Sequence, residues 1–248
     1  MRLYAYLIYF FLYFPIAVIV FFSFNSGKHA SDFQGFSLKW YPKLFDNPFL
    51  IDAFNTSLTV ALISAILAST FGTMAAIGLN NLKGKLRVFY DSLVYISVMI
   101  PGIVIGIATL IALVTLFGFL NPLLANIWPS SLGKPPVLNL GYVSLIGAHT
   151  LFTMSLSILI VRSRLNGMDR NLIEASNDLY GTPVKTFLKI TLPQLFPAIL
   201  SAFLLSFTFS FDDFIIAFFV AGSETTLPVY VFSSIRRGVT PEINAIAT

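Results

Sequence analysis

Gly167-Met-Asp-Arg-Asn-Leu-Ile-Glu-Ala-Ser-Asn-Asp-Leu-Tyr-Gly-Thr-Pro-Val-Lys-Thr-Phe-Leu-Lys-Ile-Thr-Leu-Pro193 is a long polar excursion set between apolar runs. Its pattern predicts two short helices. Leu172, Ala175 and Leu179 recur at i, i+3 and i+7 and draw a narrow apolar stripe along the first. Asp169 is placed to cap its start, and Gly181 is a natural stop. Thr182 and Pro183 then open a second helix, with the hydroxyl at the cap and proline in the first turn. Phe187, Leu188 and Ile190 lead from there into an apolar run at Pro193.

The surroundings of that stretch set the class. Only 10% of the 248 residues are charged and 56% are hydrophobic, against about 25% charged in soluble domains. Uncharged runs cover 3–27, 53–82, 92–133, 135–161 and 190–211. A membrane span needs about 20 apolar residues at 1.5 Å each, so each run holds one. Coarse helices are expected at 3–24, 54–79, 92–117, 141–164 and 194–220. The third run is long enough for two spans, but Gly118, Asn121-Pro122 and Trp128-Pro129 interrupt it. It is read as one span followed by an outer re-entrant or surface segment. The first run exceeds a signal-peptide core and lacks a small-residue cleavage site, so it is read as a retained helix. The chain is thus an all-α polytopic membrane protein with a single domain over 1–248. Pro241 followed by an apolar stretch ending at Thr248 reads as the start of a sixth helix, and a chain cut short there is expected.

Basic residues orient the spans. Arg2, Lys83, Lys85, Arg87, Arg162, Arg164, Arg170, Lys185 and Lys189 fall on one side, and Lys28, Lys39, Lys43, Lys134, Arg236 and Arg237 on the other. The richer side is cytoplasmic, which puts the N-terminus and the 162–189 loop inside. The net charge of +4 resides in these flanking loops, so nucleic acid is not read as a partner. Trp40, Tyr41, Trp128 and Tyr142 fall at outer helix ends and read as an interfacial aromatic belt. Glu174 and Asp178 lie at i, i+4, an unfavourable pair for a helix lying on anionic headgroups. A protein partner suits this loop better than lipid.

Glu174-Ala175-Ser176, Gly181 and Ile190-Thr-Leu192-Pro193, with 19 residues from glutamate to proline, resemble the EAA loop of ABC importer permeases. Ser176 stands where a second alanine is usual, and Tyr180 where the family's glycine falls, with Gly181 one place later. The segments Phe36-Ser-Leu-Lys-Trp40-Tyr41, Asn55-Thr-Ser57-Leu-Thr-Val60, Ser206-Phe-Thr-Phe-Ser-Phe-Asp212-Asp213 and Ile235-Arg236-Arg237-Gly238-Val-Thr-Pro241-Glu242 narrow the resemblance to PotC-type permeases of spermidine/putrescine importers. That resemblance implies a type I importer fold and ATP-driven polyamine import into the cytoplasm by alternating access. It implies a dimer of cytoplasmic ABC ATPases docking at about 168–193 through Glu174, Ala175, Ser176, Asp178, Gly181, Leu192 and Pro193. It also implies a second, PotB-type permease subunit and an extracytoplasmic polyamine-binding protein. The chain itself is then no enzyme. Import of another small solute is the alternative, ahead of a secondary transporter or channel. Those would place ionisable groups at the midplane, often in repeated halves, and no internal repeat is present.

Asp212 and Asp213 are the acidic residues well inside an expected span, about 28 Å of helix rise beyond Pro193. A charge there costs about 2.5–3.5 kcal/mol on insertion scales, so it faces an aqueous path or a partner. Two roles are open: one aspartate faces the path of a polycation, with Asp212 preferred, or one caps or kinks the helix or pairs with Arg236 or Arg237. Glu224 and Glu242 belong to outer loops, as rim residues or contacts to a delivering protein. His29 and His149 are isolated and there is no cysteine, so no metal site is expected. No Walker pattern is present, so no nucleotide and no other cofactor is expected. Ser155 and Ser157 lie in an apolar helix and are expected to bond between helices.

Overall fold

A computed structural model describes residues 2–28, 32–169, 171–236, 238 and 240–248, with the side chains of Arg2, Leu3 and Ser130 left out. His29, Arg170 and Arg237 lie outside the described residues. The helices run in the order α1 (Arg2–Ser23), α2 (Trp40–Phe45), α3 (Pro48–Asn80), α4 (Gly84–Met99), α5 (Gly102–Ile127), α6 (Tyr142–Asn166), α7 (Asn171–Asp178) and α8 (Pro183–Thr186). A π-helical turn (Phe187–Thr191) joins α8 to α9 (Leu192–Phe211), followed by α10 (Ile215–Val220), α11 (Leu227–Arg236) and α12 (Pro241–Ala247). Among the described residues, five helical stretches are long and apolar enough to cross a bilayer: Tyr4–Ser23, Pro48–Asn80, Gly102–Ile127, Tyr142–Asn166 and Pro183–Phe211. They fall on the five expected runs.

Two local expectations are corrected. The third run does not end as a helix near Gly118: α5 continues through Pro122 to Ile127. Asn121 explains this, because its side-chain N–H donates to the Leu138 carbonyl at 3.1 Å and its oxygen accepts the Leu138 N–H at 2.8 Å. That two-way clamp ties this turn of α5 to the segment before α6 and satisfies the backbone of Leu138. The run breaks at Trp128, as Trp128-Pro129 implied, and also at Ile100, both extended because a proline follows. The fifth helix, expected to run unbroken to 220, stops at Phe211 and restarts at Ile215.

Within the unit Ser57–Glu224, packing is inverted relative to a soluble protein. Ala61, Ser64, Ala65, Ala68, Ala76, Ala148, Thr153, Ser157, Ala202 and Ser206 are buried, while Phe71, Ile103, Ile111, Phe119, Leu200 and Leu204 are exposed. Lipid gives apolar side chains no reason to hide, so small residues line the helix contacts and let backbones approach. A Cβ on Gly72 would sit 2.6 Å from the Ser157 Cβ, so that approach needs glycine. Hydroxyls add links: Ser157 to Ser206 at 3.0 Å, and Ser64 to the Ile146 carbonyl at 3.2 Å. Ser157 thus bonds between helices as its setting implied.

The unit formed by Met1–Thr56 and Thr225–Thr248 has its own packing, with α12 against α1 and α2. Asn47 is its junction. Its oxygen accepts the Leu50 N–H at the start of α3, and its amide donates to the Tyr230 hydroxyl at 2.9 Å and to Glu242 at 2.8 Å. Glu242 is therefore anchored. Trp40 is 6% exposed and donates to the Asn25 carbonyl at 2.8 Å, so it is the core of this loop and not part of a lipid-facing belt.

One ion pair crosses from α4 to α6. Arg162 spans Asp91 with both terminal nitrogens, the second at 3.1 Å, and its side chain is 9% exposed. Its hydrogen bond holds the Asp91 carboxyl below the usual carboxylate range. The stabilisation is therefore complete above the unfolded value of about 3.9 and fades as pH falls beneath it. Arg162→Met leaves Asp91 only the longer contact to Arg87 at 3.8 Å and is expected to cost about 3 kcal/mol, at the low end for a broken buried pair because Asp91 keeps that neighbour and some solvent. Thermal unfolding in detergent reads this. Asp91→Asn combined with Arg162→Met is expected to lose much less than the sum of the single variants.

Candidate functional site

The polar excursion folds as two short helices meeting at a tight turn. The N–H of Asn171 donates to Asp169 Oδ1 at 2.9 Å, which starts α7. At the other end, the N–H of Leu179 reaches the Ala175 carbonyl, that of Tyr180 the Asn177 carbonyl, and that of Gly181 the Ser176 carbonyl at 2.8 Å. Tyr180 takes the left-handed conformation, φ 56°, that the stop requires. Sequence reasoning gave that position to Gly181. Glycine is needed at 181 for another reason: a Cβ there would lie 2.7 Å from the Ser176 carbonyl oxygen. Ser176, in the place of the usual alanine, bonds Thr186 at 2.8 Å and so ties α7 to α8. Thr182 caps α8 by accepting the Lys185 N–H at 3.4 Å, with Pro183 in the first turn.

The outward surface of this element is apolar. Leu172 is 45% exposed, Leu179 82% and Tyr180 97%, and Ala175 and Val184 are exposed beside them. Glu174 and Asp178 are exposed as well. Glu174 lines a cleft of about 410 Å³ with Asn80, Lys83, Met168, Ile173 and Thr191. Glu174, Ala175, Ser176, Asp178 and Gly181 lie on α7 and its closing turn, while Leu192 and the exposed Pro193 form the first turn of α9, directly after Thr191 of that cleft.

The second cluster lies where α9 stops. The two aspartates have different surroundings. Asp213 Oδ2 accepts the Ala217 N–H at 2.9 Å and so satisfies a backbone donor in the first turn of α10. The same oxygen lies 3.5 Å from Nε2 of His149 on α6, longer than a hydrogen bond. His149 is 2% exposed, and its Nδ1 shares a 2.7 Å hydrogen bond with Ser210. A carboxylate only accepts, so the tautomer that fits carries its proton on Nε2, facing Asp213, while Nδ1 accepts from the Ser210 hydroxyl. Ser144 completes the seam by donating to the Val220 carbonyl at the end of α10. Asp212 is exposed, and its side chain has no bond to another side chain among the described residues. Arg236 lies 4.8 Å above the Phe232 ring.

His149 is the residue that sequence reasoning passed over. Its isolation argued against a metal, and among the described residues no group of three potential ligands occurs. Its meeting with Ser210 and Asp213 depends on how α6 lies against α9 and α10, which no local spacing encodes. Position gave the one usable signal, a histidine two turns into an apolar helix, where an ionisable group needs a partner.

The chain matches known proteins over nearly its whole length. The family model for the binding-protein-dependent transport system inner membrane component matches residues 68–248. The putrescine transport system permease protein PotI of Escherichia coli (strain K12) is 38% identical over 241 residues, which cover 96% of this chain and 80% of that protein. The spermidine/putrescine transport system permease protein PotC of Haemophilus influenzae is 36% identical over 246 residues, 99% of this chain and 88% of that one. The fold is similar to a chain in the crystal structure of a bacterial ABC transporter involved in the import of the acidic polysaccharide alginate. The TM-score there is 0.72 with 17% identity, over 99% of this chain and 88% of the other. Five apolar helices, a helical loop with its apolar surface bare, and these relatives agree: the chain belongs to the family of binding-protein-dependent transport system inner membrane components. It is a multi-pass permease subunit of an ATP-driven importer in the cytoplasmic membrane, with ATP hydrolysed by a separate subunit.

Proposed function

We propose that this permease carries polyamines, spermidine or putrescine, into the cytoplasm by alternating access, with residues 1–248 acting as one permease domain. The observation that carries the reading is the different state of the two aspartates at the α9 break. Asp213 is occupied with holding the break, while Asp212 offers an exposed carboxylate in a segment flanked by apolar helix. A polyamine is a flexible chain of ammonium groups, and a carboxylate on its path suits one of them. The relatives named for putrescine and spermidine/putrescine transport support the same substrate class. Arg236 would repel a polycation and is assigned to structure.

In this reading a pair of ABC ATPases seats the 168–193 loop. Leu172, Ala175, Leu179 and Tyr180 enter an apolar groove, Glu174 and Asp178 meet polar groups at its edge, and Gly181 and Ser176 hold the angle between α7 and α8. Leu192 and Pro193 begin the shaft that carries the movement. A second permease subunit of the PotB type completes the pathway, and an extracytoplasmic polyamine-binding protein delivers the substrate.

The test is uptake of labelled putrescine and spermidine by cells lacking their own polyamine importers, with the permease and its partner subunits expressed together. ATP-dependent uptake of either polyamine supports the reading. No polyamine uptake from a complex that still assembles with its ATPase overturns the substrate class and leaves the family standing. Asp212→Asn removes one charged hydrogen bond of about 1.5–3 kcal/mol and is expected to weaken uptake about tenfold to a hundredfold with thermal stability unchanged. Asp213→Ala is expected to lower thermal stability. The opposite assignment of these two effects contradicts the division of roles. At the docking loop, Gly181→Val and Glu174→Ala are expected to reduce the ATPase that co-purifies with the permease. Tyr180→Gly is expected to be tolerated, because glycine adopts the left-handed turn without strain.

A further inference from the structure

Lys28, Lys39 and Lys43 surround Trp40 in a recess of about 530 Å³, completed by Thr240 and Glu242. The floor is built, not loose. Trp40 donates to the Asn25 carbonyl. Asn25 is itself buried, with its oxygen accepting the N–H groups of Gly27 at 3.0 Å and Gln34 at 2.9 Å and its amide donating to the Asp32 carbonyl at 2.7 Å. Nζ of Lys39 lies 5.1 Å and Nζ of Lys43 4.7 Å from the Trp40 ring centroid, so the indole gathers both cations. Lys39 also donates to the Ser26 carbonyl.

All three lysines are exposed, and among the described residues none has a carboxylate within ion-pair distance. The one acid in the lining, Glu242, is held by Asn47. Three ammonium groups against one carboxylate leave the recess strongly positive. It belongs to the loops that the basic-residue count places outside the cell membrane. A free polycation is repelled from such a surface, so its occupant is anionic.

We propose that this recess is the docking surface for an acidic lip of the extracytoplasmic substrate-binding protein. The inference rests on the polyamine reading above. A protein that carries a polycation holds it with carboxylates, so the rim of its cleft is acidic. Complementary charge then steers the loaded protein onto the permease and fixes its register. A lipid phosphate, with a single charge, uses this surface less fully than a rigid array of carboxylates. The presence of Glu242 in the lining also disfavours a phosphodiester.

The test uses the whole transporter, permease pair and ATPase subunits together, in proteoliposomes made with and without phosphatidylglycerol. ATP hydrolysis is titrated with putrescine-loaded binding protein. For the natural chain, the half-saturating concentration is expected to rise steeply with salt. Lys28→Glu, Lys39→Glu and Lys43→Glu combined are expected to raise it at least tenfold, and the triple Lys→Arg variant to restore it. A half-saturation that ignores salt in the natural chain overturns the docking surface. So does a triple glutamate variant that titrates like the natural chain, or a defect confined to vesicles containing phosphatidylglycerol. A natural complex that loaded binding protein never stimulates overturns the polyamine reading itself, which distinguishes the two failures.

Discussion

Hydrocarbon gives the backbone no water to fall back on, so every interrupted helical turn in a span needs a side chain to close it. This constraint shapes the α9 break more than any other feature. Four residues bind it from both sides: Asp213 satisfies an amide of α10, His149 and Ser210 join α6 to the end of α9, and Ser144 holds the end of α10. Because Asp213 and His149 are committed to the repair, the neighbouring Asp212 is left exposed. Beside Pro122, the Asn121 side chain does the same for non-helical backbone, satisfying both the N–H and the carbonyl of Leu138.

The docking loop and the break are the two ends of one rod. From Pro183 to Phe211 the chain is continuously helical for 29 residues, which is about 43 Å at 1.5 Å each. The π-helical turn at Phe187–Thr191 and Pro197 within α9 are its irregularities, and π-helical turns recur at functional positions. Under the proposed function, a displacement of α8 by the ATPase would reach Asp212 along α9 without passing through a loop. The chain needs no nucleotide site of its own to respond to ATP. It needs a stiff connection between the place where force is applied and the place where the path is gated.

The spans were legible because hydropathy over 20 residues is a large, additive signal, and the two loop helices because Thr182, Pro183 and Asp169 carry their capping chemistry locally. What was not legible depended on a distant residue. Pro122 read as a break because Leu138, 16 positions on, is invisible to a local pattern. The helix expected to run to 220 is broken at the aspartates, and the bonds that reach the break from α6, His149 to Ser210 and Ser144 to Val220, lie more than 60 positions away in the chain. The turn after α7 looked like a glycine stop, but the left-handed residue is Tyr180, and Gly181 is required by its closeness to Ser176. Trp40 read as a lipid-facing ring because its hydrogen bond to Asn25 forms only in the folded loop.

The central claim is that Asp212 lies on a path opened and closed by ATP acting at the far end of the rod. The chain has no cysteine, so Asp212→Cys introduces a single reporter thiol. The most direct measurement is its rate of reaction with a membrane-impermeant thiol reagent applied from outside the reconstituted transporter, with and without trapped nucleotide. The account predicts slow labelling without nucleotide and much faster labelling when ATP with vanadate holds the ATPase closed, with no such change for Leu204→Cys on the exposed apolar surface of α9. A reaction rate at 212 that ignores nucleotide would contradict it.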